Sequence, residues 1–383
     1  MNLDENTDLS VDLSRNNPVS LPTNVRPKVM FAGTFDHLHA GHKHVLYRAL
    51  QLTSDTLYIG FASDSLLCRK RFAVALQPLE LRMVFVSEYL QTIMSTMAKK
   101  VKIELFETPD AIGPAGIMQF DTLIVTPETL SGGEAVNAAR SKAGLVPVEI
   151  YVVDLLGDED ITNKTSSTEI RAALCAQLPN GESDMCMLRD SFLSFGSVRW
   201  WSILRDMYGL ETWRKYHTLH HVLELVQLVQ DEYDGLPPND VLMAIWFHDC
   251  VYNPKHDNNE KESAIVYEEF LRVSGKLPNK QVGEAILMTQ NHLTTLAHLD
   301  ETVPDWISKF LEMDLAILAA EPSRYQEYSE QIRREYPHVS EYHTKRTVFL
   351  NRFSNFHFKH LKNSQLLNSR LSYNIKWEQN KLK

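Results

Sequence analysis

Two histidines, His39 and His42, stand where the pattern of a strand gives way to the pattern of a helix. The apolar run 28–32 precedes them, and apolar residues recur at helical spacing after them. Gly33 and Gly41 allow close approach of the backbone to a ligand, and the free N–H groups at a helix start attract phosphate. The pattern predicts that the imidazoles contact a nucleoside triphosphate; the alternative is that they only cap or pack the first helical turn.

A second polar segment, 163–171, places a lysine, an arginine and several hydroxyl groups around another helix start. Ser166 and Glu169 have the spacing of a capping box, which explains those two residues without a ligand. Four further side chains have no such structural purpose and suit a phosphate clamp: Lys164, Ser167, Thr168 and Arg171. The segment therefore predicts further contacts to a polyphosphate.

Together, the sequences GTFDHLHAGH and KTSSTEIR resemble the HxGH and SSTxIR motifs of the nucleotidyltransferase superfamily. Segments 110–115 and 125–137 resemble the eukaryotic and archaeal form of phosphopantetheine adenylyltransferase, the domain found in eukaryotic CoA synthase. The resemblance extends from about Lys28 to Leu174. It implies transfer of AMP from ATP, accompanied by Mg²⁺, to the phosphate of 4′-phosphopantetheine, which gives dephospho-CoA and pyrophosphate.

The same resemblance implies a role for each motif residue. His39 and His42 would contact the ATP phosphates, and Thr34 would face the reacting phosphoryl group. Lys70 would neutralise the attacking phosphate, for which a solvated basic run is the alternative. The pyrophosphate would be held by Ser167, Thr168 and Arg171. The other residues expected to bind the nucleotide are Gly33, Phe35, Gly41, Glu128, Gly133, Lys164 and Ser166. A cytidylyltransferase is the alternative enzyme, because the two histidines do not choose the base.

Five β-rich runs, separated by helical patterns, position these motifs: 28–32, 56–62, 101–106, 122–125 and 148–155. The alternation predicts a doubly wound parallel sheet, which is a Rossmann-like α/β domain. Glu128 and Gly133 follow the fourth run, where a sheet of this type binds a nucleotide base. The chain beyond the polar stretch 178–184 has helical patterns throughout.

Asp314 lies in that helical part and shares one helical face with apolar residues, which are Ile307, Phe310, Leu311 and Leu318. A carboxylate on such a face needs a buried counter-charge. A metal with imidazole and carboxylate ligands would provide it, and Arg333 or Arg346 is the alternative. The ligands expected beside Asp314 are His217, His248 and Asp249, and below these rank His221 and His292. His217 and His221 are expected one turn apart on one helix, where they can share a metal.

The order His, His-Asp and distant Asp is similar to the HD superfamily of metal-dependent phosphohydrolases, from about Trp200 to the C-terminus. The likeness implies an all-α domain with Mn, Fe, Co or Zn, in which the metal lowers the pKa of a bound water and polarises a phosphoryl oxygen. The implied substrate is a phosphate ester, a nucleotide or another phosphorylated small molecule. The alternative is an HD domain that binds a metal or nucleotide and regulates without turnover.

Composition limits the partners and the compartment. Lys and Arg number 39 against 49 Asp and Glu, and a net charge of −10 argues against nucleic acid as a partner. No apolar run approaches the ~20 residues that span a bilayer, so no membrane is expected and the cytoplasm is the expected compartment. The expected organisation is a disordered tail 1–25, a transferase domain 26–176, a linker 177–194 and an HD domain 195–383. The oligomeric state stays open.

Overall fold

A computed structural model describes residues 25–154, 166–299 and 302–383 of the chain. The chain forms two compact units. The first takes the chain up to Lys70 together with Leu79–Ser167, and the second takes Arg71–Pro78 together with Thr168–Lys383. The expected tail 1–25 lies, apart from Val25, outside the described residues.

A parallel sheet of five strands forms the centre of the described part of the first unit, in the order β3-β2-β1-β4-β5. Its strands are β1 (Arg26–Gly33), β2 (Thr53–Ala62), β3 (Lys102–Thr108), β4 (Thr122–Val125) and β5 (Glu149–Val152). The direction of winding reverses between β1 and β4, and doubly wound sheets bind ligands at such a switch point. The predicted parallel, doubly wound α/β fold of this part is confirmed.

Helices cover both faces of this sheet: α1 (Ala40–Leu52), α2 (Asp64–Leu67), α3 (Leu79–Thr96) and α4 (Leu130–Lys142). Successive strand residues point to opposite faces, so Phe31 packs with Val45 and Val86 of α1 and α3. Its neighbour Met30 packs instead with Val136 of α4. Each face of the sheet thus has its own apolar core. The sheet, with the carboxyl ends of β1 and β4, lies between these two cores.

The described residues of the second unit contain helices and no strand. These helices are α5 (Ser167–Ala176), α6 (Glu182–Leu193), α7 (Val198–Gly209), α8 (Leu219–Glu232), α9 (Asn239–Phe247), α10 (Asn259–Val273), α11 (Lys280–Met288), α12 (His292–His298), α13 (Asp305–Leu315), α14 (Pro322–Glu335), α15 (Tyr342–Arg352) and α16 (Ser364–Lys381). Aromatic side chains of α6, α7, α9 and α10 share one core, and Trp246 stacks edge-on against Trp201 and Phe192. None of the helices in the described ranges is long and apolar enough to cross a membrane.

The segment 177–194, expected as a linker, is corrected by the structure. It contains α6, whose Met185, Leu188 and Phe192 are buried in the core of the second unit. The polar stretch that suggested a linker is the turn before this helix, where Asp184 accepts a hydrogen bond from the backbone N–H of Asn180 at 2.8 Å. Polar composition here marks a tight turn between packed helices.

Candidate functional site

The turn between β1 and α1 begins at the carboxyl end of β1, beside β4. Phe35 and His37 have positive φ angles of 54° and 45°, so the chain bends sharply before the helix starts. The Phe35 ring is fully buried and packs against Phe31 and Phe61. Phe35 therefore anchors the turn in the apolar core, and its expected contact with the nucleotide stays a prediction.

His39 and His42 lie side by side on the first turn of α1. Their rings stack with centroids 3.9 Å apart, and a Cβ atom on Gly41 would come within 3.1 Å of the His39 ring. Burial first, and then the nearby His39 and Lys70, lower the pKa of His42 to about 3. His42 is therefore neutral near pH 7. The N-cap residue His39 makes no side-chain capping bond, which suits a helix start that receives an anion.

Thr34 links two basic side chains at the end of β1. The Nζ atom of Lys70 donates to the Thr34 hydroxyl at 3.0 Å, so the structure brings these two expected site residues together. Arg82, fully buried on α3, donates to the carbonyls of Thr34 at 2.7 Å and Ala62 at 2.9 Å, and to the Asp64 carboxylate at 2.6 Å. Arg82 thus fixes the ends of β1 and β2, a role that the motifs did not reveal.

The second motif segment divides between the two units. Ser166 is half-buried, and Ser167, at the start of α5, donates its hydroxyl to the Asp36 carbonyl at 2.7 Å, within the first unit. Thr168 and Arg171 belong to the second unit, where the Arg171 side chain is 1% exposed. Its guanidinium donates to the Arg71 carbonyl at 3.2 Å and to the Thr168 hydroxyl at 3.1 Å. Lys164 lies outside the described residues.

The two residues expected near the base have different surroundings. Glu128 is exposed on the short helical turn Pro127–Thr129, which follows β4 directly. Gly133 is buried, and a Cβ atom there would stand 2.9 Å from the Cγ1 atom of Val125. Gly133 therefore lets α4 pack closely on β4, and its expected contact with the base stays a prediction.

Known proteins similar to this chain match the part that holds this site. A family model described as "Cytidylyltransferase-like" matches residues 30–173. The chain is 35% identical over 146 residues to "Phosphopantetheine adenylyltransferase" of Saccharomyces cerevisiae, covering 37% of this chain and 47% of that protein. Proteins of the same name from Thermococcus gammatolerans and Pyrococcus abyssi are 36% and 35% identical over 148 residues, covering 38% of this chain and 89% and 90% of theirs.

The chain belongs to the phosphopantetheine adenylyltransferase family. The match confirms the resemblance predicted from about Lys28 to Leu174. The chain spans about half the length of the yeast relative, 47%, and nearly all of the archaeal ones. The match to the "Cytidylyltransferase-like" family model ends at residue 173, before most of the helical unit.

Three side chains of the helical unit converge closely enough to hold a metal ion: His221 on α8, His248 after α9 and Asp314 on α13. The Nε2 atoms of His221 and His248 are 3.2 Å apart, and each lies 3.2–3.4 Å from the Oδ1 atom of Asp314. Asp249 lies 3.2 Å from His248 through its Oδ2 atom. The Nε2–H of His292 donates to the Oδ2 atom of Asp314 at 2.7 Å. His248, one of the expected metal ligands, thus lies beside His221, which ranked below the four ligands expected first.

His217 lies at the edge of this cluster and is held by Glu335. Its Nδ1–H donates to the Oε2 atom of Glu335 at 2.7 Å, and its Nε2 atom faces Asp249 at 3.9 Å. The Tyr252 ring stacks on His217 with centroids 4.0 Å apart. The sequence expected His217 on a helix with His221, but α8 begins at Leu219 with Thr218 as its N-cap. His217 therefore reaches the cluster from the loop before the helix, which corrects that expectation.

Arg214 fixes the backbone of two expected ligands. It is 3% exposed and donates to the carbonyls of His217 at 3.0 Å, Asp249 at 2.8 Å and Cys250 at 2.9 Å. Its charge is balanced by Glu211, which accepts a hydrogen bond from Nε at 2.6 Å. One buried guanidinium therefore links the loop before α8 to the end of α9.

The donor set of the cluster fits a divalent cation. The Nδ1–H of His248 donates to the Ile245 carbonyl at 2.9 Å, which directs its Nε2 atom towards His221 and Asp314. Burial lowers the pKa of His248, but Asp249 and Asp314 outweigh it and raise that pKa well above its usual range. The two carboxylates are thus compensated in part by the proton of His248, and a cation bound by the same atoms would replace that proton.

The alternative partners of Asp314 are engaged elsewhere. Arg333 pairs with Glu330 at 3.0 Å, and Arg346 pairs with the buried Glu378 at 3.0 Å. Asp314 itself keeps 13% of its side chain exposed, so a solvent molecule or substrate can reach it. The structure therefore favours the histidine cluster over the arginines as the counter-charge of Asp314.

Proposed function

We propose that the protein transfers AMP from ATP to 4′-phosphopantetheine, giving dephospho-CoA and pyrophosphate. The observation that carries this proposal is the 36% identity over 148 residues to the phosphopantetheine adenylyltransferase of Thermococcus gammatolerans, of which the chain spans 89%. The position of the His39 and His42 pair beside the switch point of the sheet supports it. ATP and 4′-phosphopantetheine are the substrates, and Mg²⁺ accompanies ATP.

In this reaction a phosphate oxygen of 4′-phosphopantetheine attacks the α-phosphorus of ATP, and pyrophosphate leaves. No covalent enzyme intermediate forms, so the side chains act by positioning and by stabilising charge. Lys70, held at Thr34, would neutralise the attacking phosphate, while the neutral His42 would donate a hydrogen bond to the ATP phosphates. Ser167 would assist from the start of α5.

The test mixes the full chain with ATP, Mg²⁺ and 4′-phosphopantetheine and measures dephospho-CoA and pyrophosphate. His39→Ala should lose turnover and keep the thermal unfolding of the wild type, because His39 is half-buried at the surface of α1. His44→Ala, two positions further along the same helix than His42, is the matched control and should keep its activity. Equal use of CTP, or no product from 4′-phosphopantetheine, overturns the proposal.

We propose further that the histidine and aspartate cluster binds a divalent transition metal and serves a phosphohydrolase reaction on a phosphorylated small molecule. The convergence of His221, His248 and Asp314 supports this second function. The metal would be Mn, Fe, Co or Zn, with Asp249 and His217 as further ligands. When bound, it would supply an activated water and polarise the phosphoryl oxygen.

Titration of the full chain with Mn²⁺ tests this second proposal. His248→Ala should abolish binding, whereas His220→Ala should not, because His220 points towards Glu224 at 4.0 Å. Phosphate release from phosphomonoesters and nucleotides is then measured in the presence of Mn²⁺. Binding without any release would favour the alternative of a regulatory metal-binding module.

A further inference from the structure

A cavity of about 140 Å³ lies beside the candidate metal centre, between α8 and the segment from α13 to Ala320. His221 belongs to both: it lines the cavity, and its Nε2 atom lies 3.2 Å from Asp314. Met313, also in the wall, precedes Asp314 in the chain. A molecule whose phosphate reached the cluster could therefore place its adjoining atoms in this cavity.

The cavity wall is mostly apolar. Six of its nine lining residues carry aliphatic or thioether side chains: Leu225, Leu228, Met313, Ala316, Ile317 and Ala320. The one carboxylate, Glu224, is paired with Arg324 through hydrogen bonds of 2.6 and 3.0 Å. The charge of Glu224 is thus compensated within the protein. A charged group in the cavity would have no counter-charge in this wall.

The volume limits the size of the occupant. A cavity of about 150 Å³ lined by aliphatic side chains holds one benzene molecule, and this cavity has about 140 Å³. Pockets that enclose drug-sized ligands begin at about 300 Å³. A branched group of a few carbon atoms next to the phosphate therefore fits, whereas the ribose of a nucleotide would place its hydroxyl groups against an apolar wall.

We propose that the hydrolase site takes phosphomonoesters whose phosphate is attached to a small, branched, uncharged alkyl group, and that this group occupies the cavity. The inference rests on the proposed phosphohydrolase function of the cluster. In the reaction, the oxygen of water forms the new P–O bond, the ester P–O bond breaks, and the alcohol leaves with a proton from that water. Of the two substrates of the proposed transferase reaction, 4′-phosphopantetheine carries its phosphate beside a dimethyl-substituted carbon, and ATP does not.

The test compares the Mn²⁺-loaded full chain on 2,2-dimethylpropyl phosphate, 4′-phosphopantetheine and AMP. The two alkyl phosphates should have a kcat/KM at least about tenfold above that of AMP, equivalent to about 1.4 kcal/mol. Ala316→Leu and Ala320→Leu each fill the cavity and should raise KM for the dimethylpropyl ester without changing Mn²⁺ affinity. Ala176→Leu, at an exposed position of α5, is the matched control and should leave KM unchanged.

Binding of 2,2-dimethylpropyl phosphonate, measured by calorimetry with Mn²⁺ present, gives a readout that needs no turnover. It should weaken in both cavity variants and not in Ala176→Leu. A preference for AMP, or cavity variants that bind and turn over the alkyl compounds like the wild type, overturns this inference and leaves the proposed hydrolase standing. Absence of hydrolysis of every compound removes the hydrolase and the inference together.

Discussion

Replacing Glu335 by glutamine tests how the candidate metal centre is held in place. Glu335 is 1% exposed, and its Oε1 atom accepts the backbone N–H groups of Lys215, Tyr216 and His217 at 2.6, 2.8 and 3.1 Å. Its Oε2 atom accepts from the His217 ring at 2.7 Å and from the Tyr252 hydroxyl at 3.1 Å. Glutamine keeps the size and one acceptor oxygen, and it puts an amide donor in the place of Oε2.

That amide donor meets the Nδ1–H of His217, which is also a donor. The contact becomes favourable only if the ring proton moves to Nε2, the atom that faces Asp249 at 3.9 Å. In this tautomer His217 has no lone pair for a metal. Loss of a partner that orients a metal-binding histidine lowers metal affinity by about 10- to 100-fold, which equals about 1.4 to 2.8 kcal/mol.

The assay is calorimetric titration of the full chain with Mn²⁺, for the wild type, Glu335→Gln and His217→Ala. Both variants should bind more weakly by a similar factor, because both remove the same lone pair. Glu330→Gln is the control on the same helix, since Glu330 is half-buried and pairs only with Arg333 and Arg334 among the partners described. Wild-type affinity in Glu335→Gln, with unchanged thermal unfolding, would refute the role of Glu335 in orienting His217.

Three further predictions concern the transferase unit. Arg82→Met should lower the free energy of unfolding by about 1–3 kcal/mol in a denaturant titration, because the buried carbonyls of Thr34 and Ala62 lose their donor. Gly133→Ala should lower the free energy of unfolding by about 1–3 kcal/mol in the same titration, because the added carbon overlaps with Val125. Its control is Gly132→Ala, which should not destabilise the protein because no atom lies within 4 Å of the added carbon. His42→Asn should make the free energy of unfolding fall less steeply as the pH is lowered. The folded pKa of His42, about 3, lies below the ordinary 6.5. The stability that His42 contributes is therefore complete above pH 6.5 and is lost as the pH falls towards 3. A variant whose stability falls as steeply with acid as the wild type would contradict that assignment.

The strands and the turn between β1 and α1 were predictable because their patterns are local. Each strand of the sheet is a short β-rich run, and His39 with His42 stand at a strand-to-helix boundary that the spacing of apolar residues marks. The alternation of strands and helices then allows few topologies. The prediction of a linker at 177–194 was wrong for a related reason. The polar residues before α6 form a helix start, and composition alone does not distinguish a helix start from an exposed connection.

Charged residues on apolar helical faces mark sites whose partners the sequence cannot name. Arg82 shares the buried face of α3 with Val86 and Leu90, and Glu335 shares that of α14 with Ile332. The helical period predicts that each is buried, since it reports neighbours within a turn or two. Their partners are far away in the chain: Glu335 meets His217 across 118 residues, and Arg82 meets Thr34 across 48. A period of 3.6 residues carries no information about such pairs. The same limit explains why His217 was placed on the wrong element, since its position is set by Glu335 and Arg214 rather than by a helix of its own.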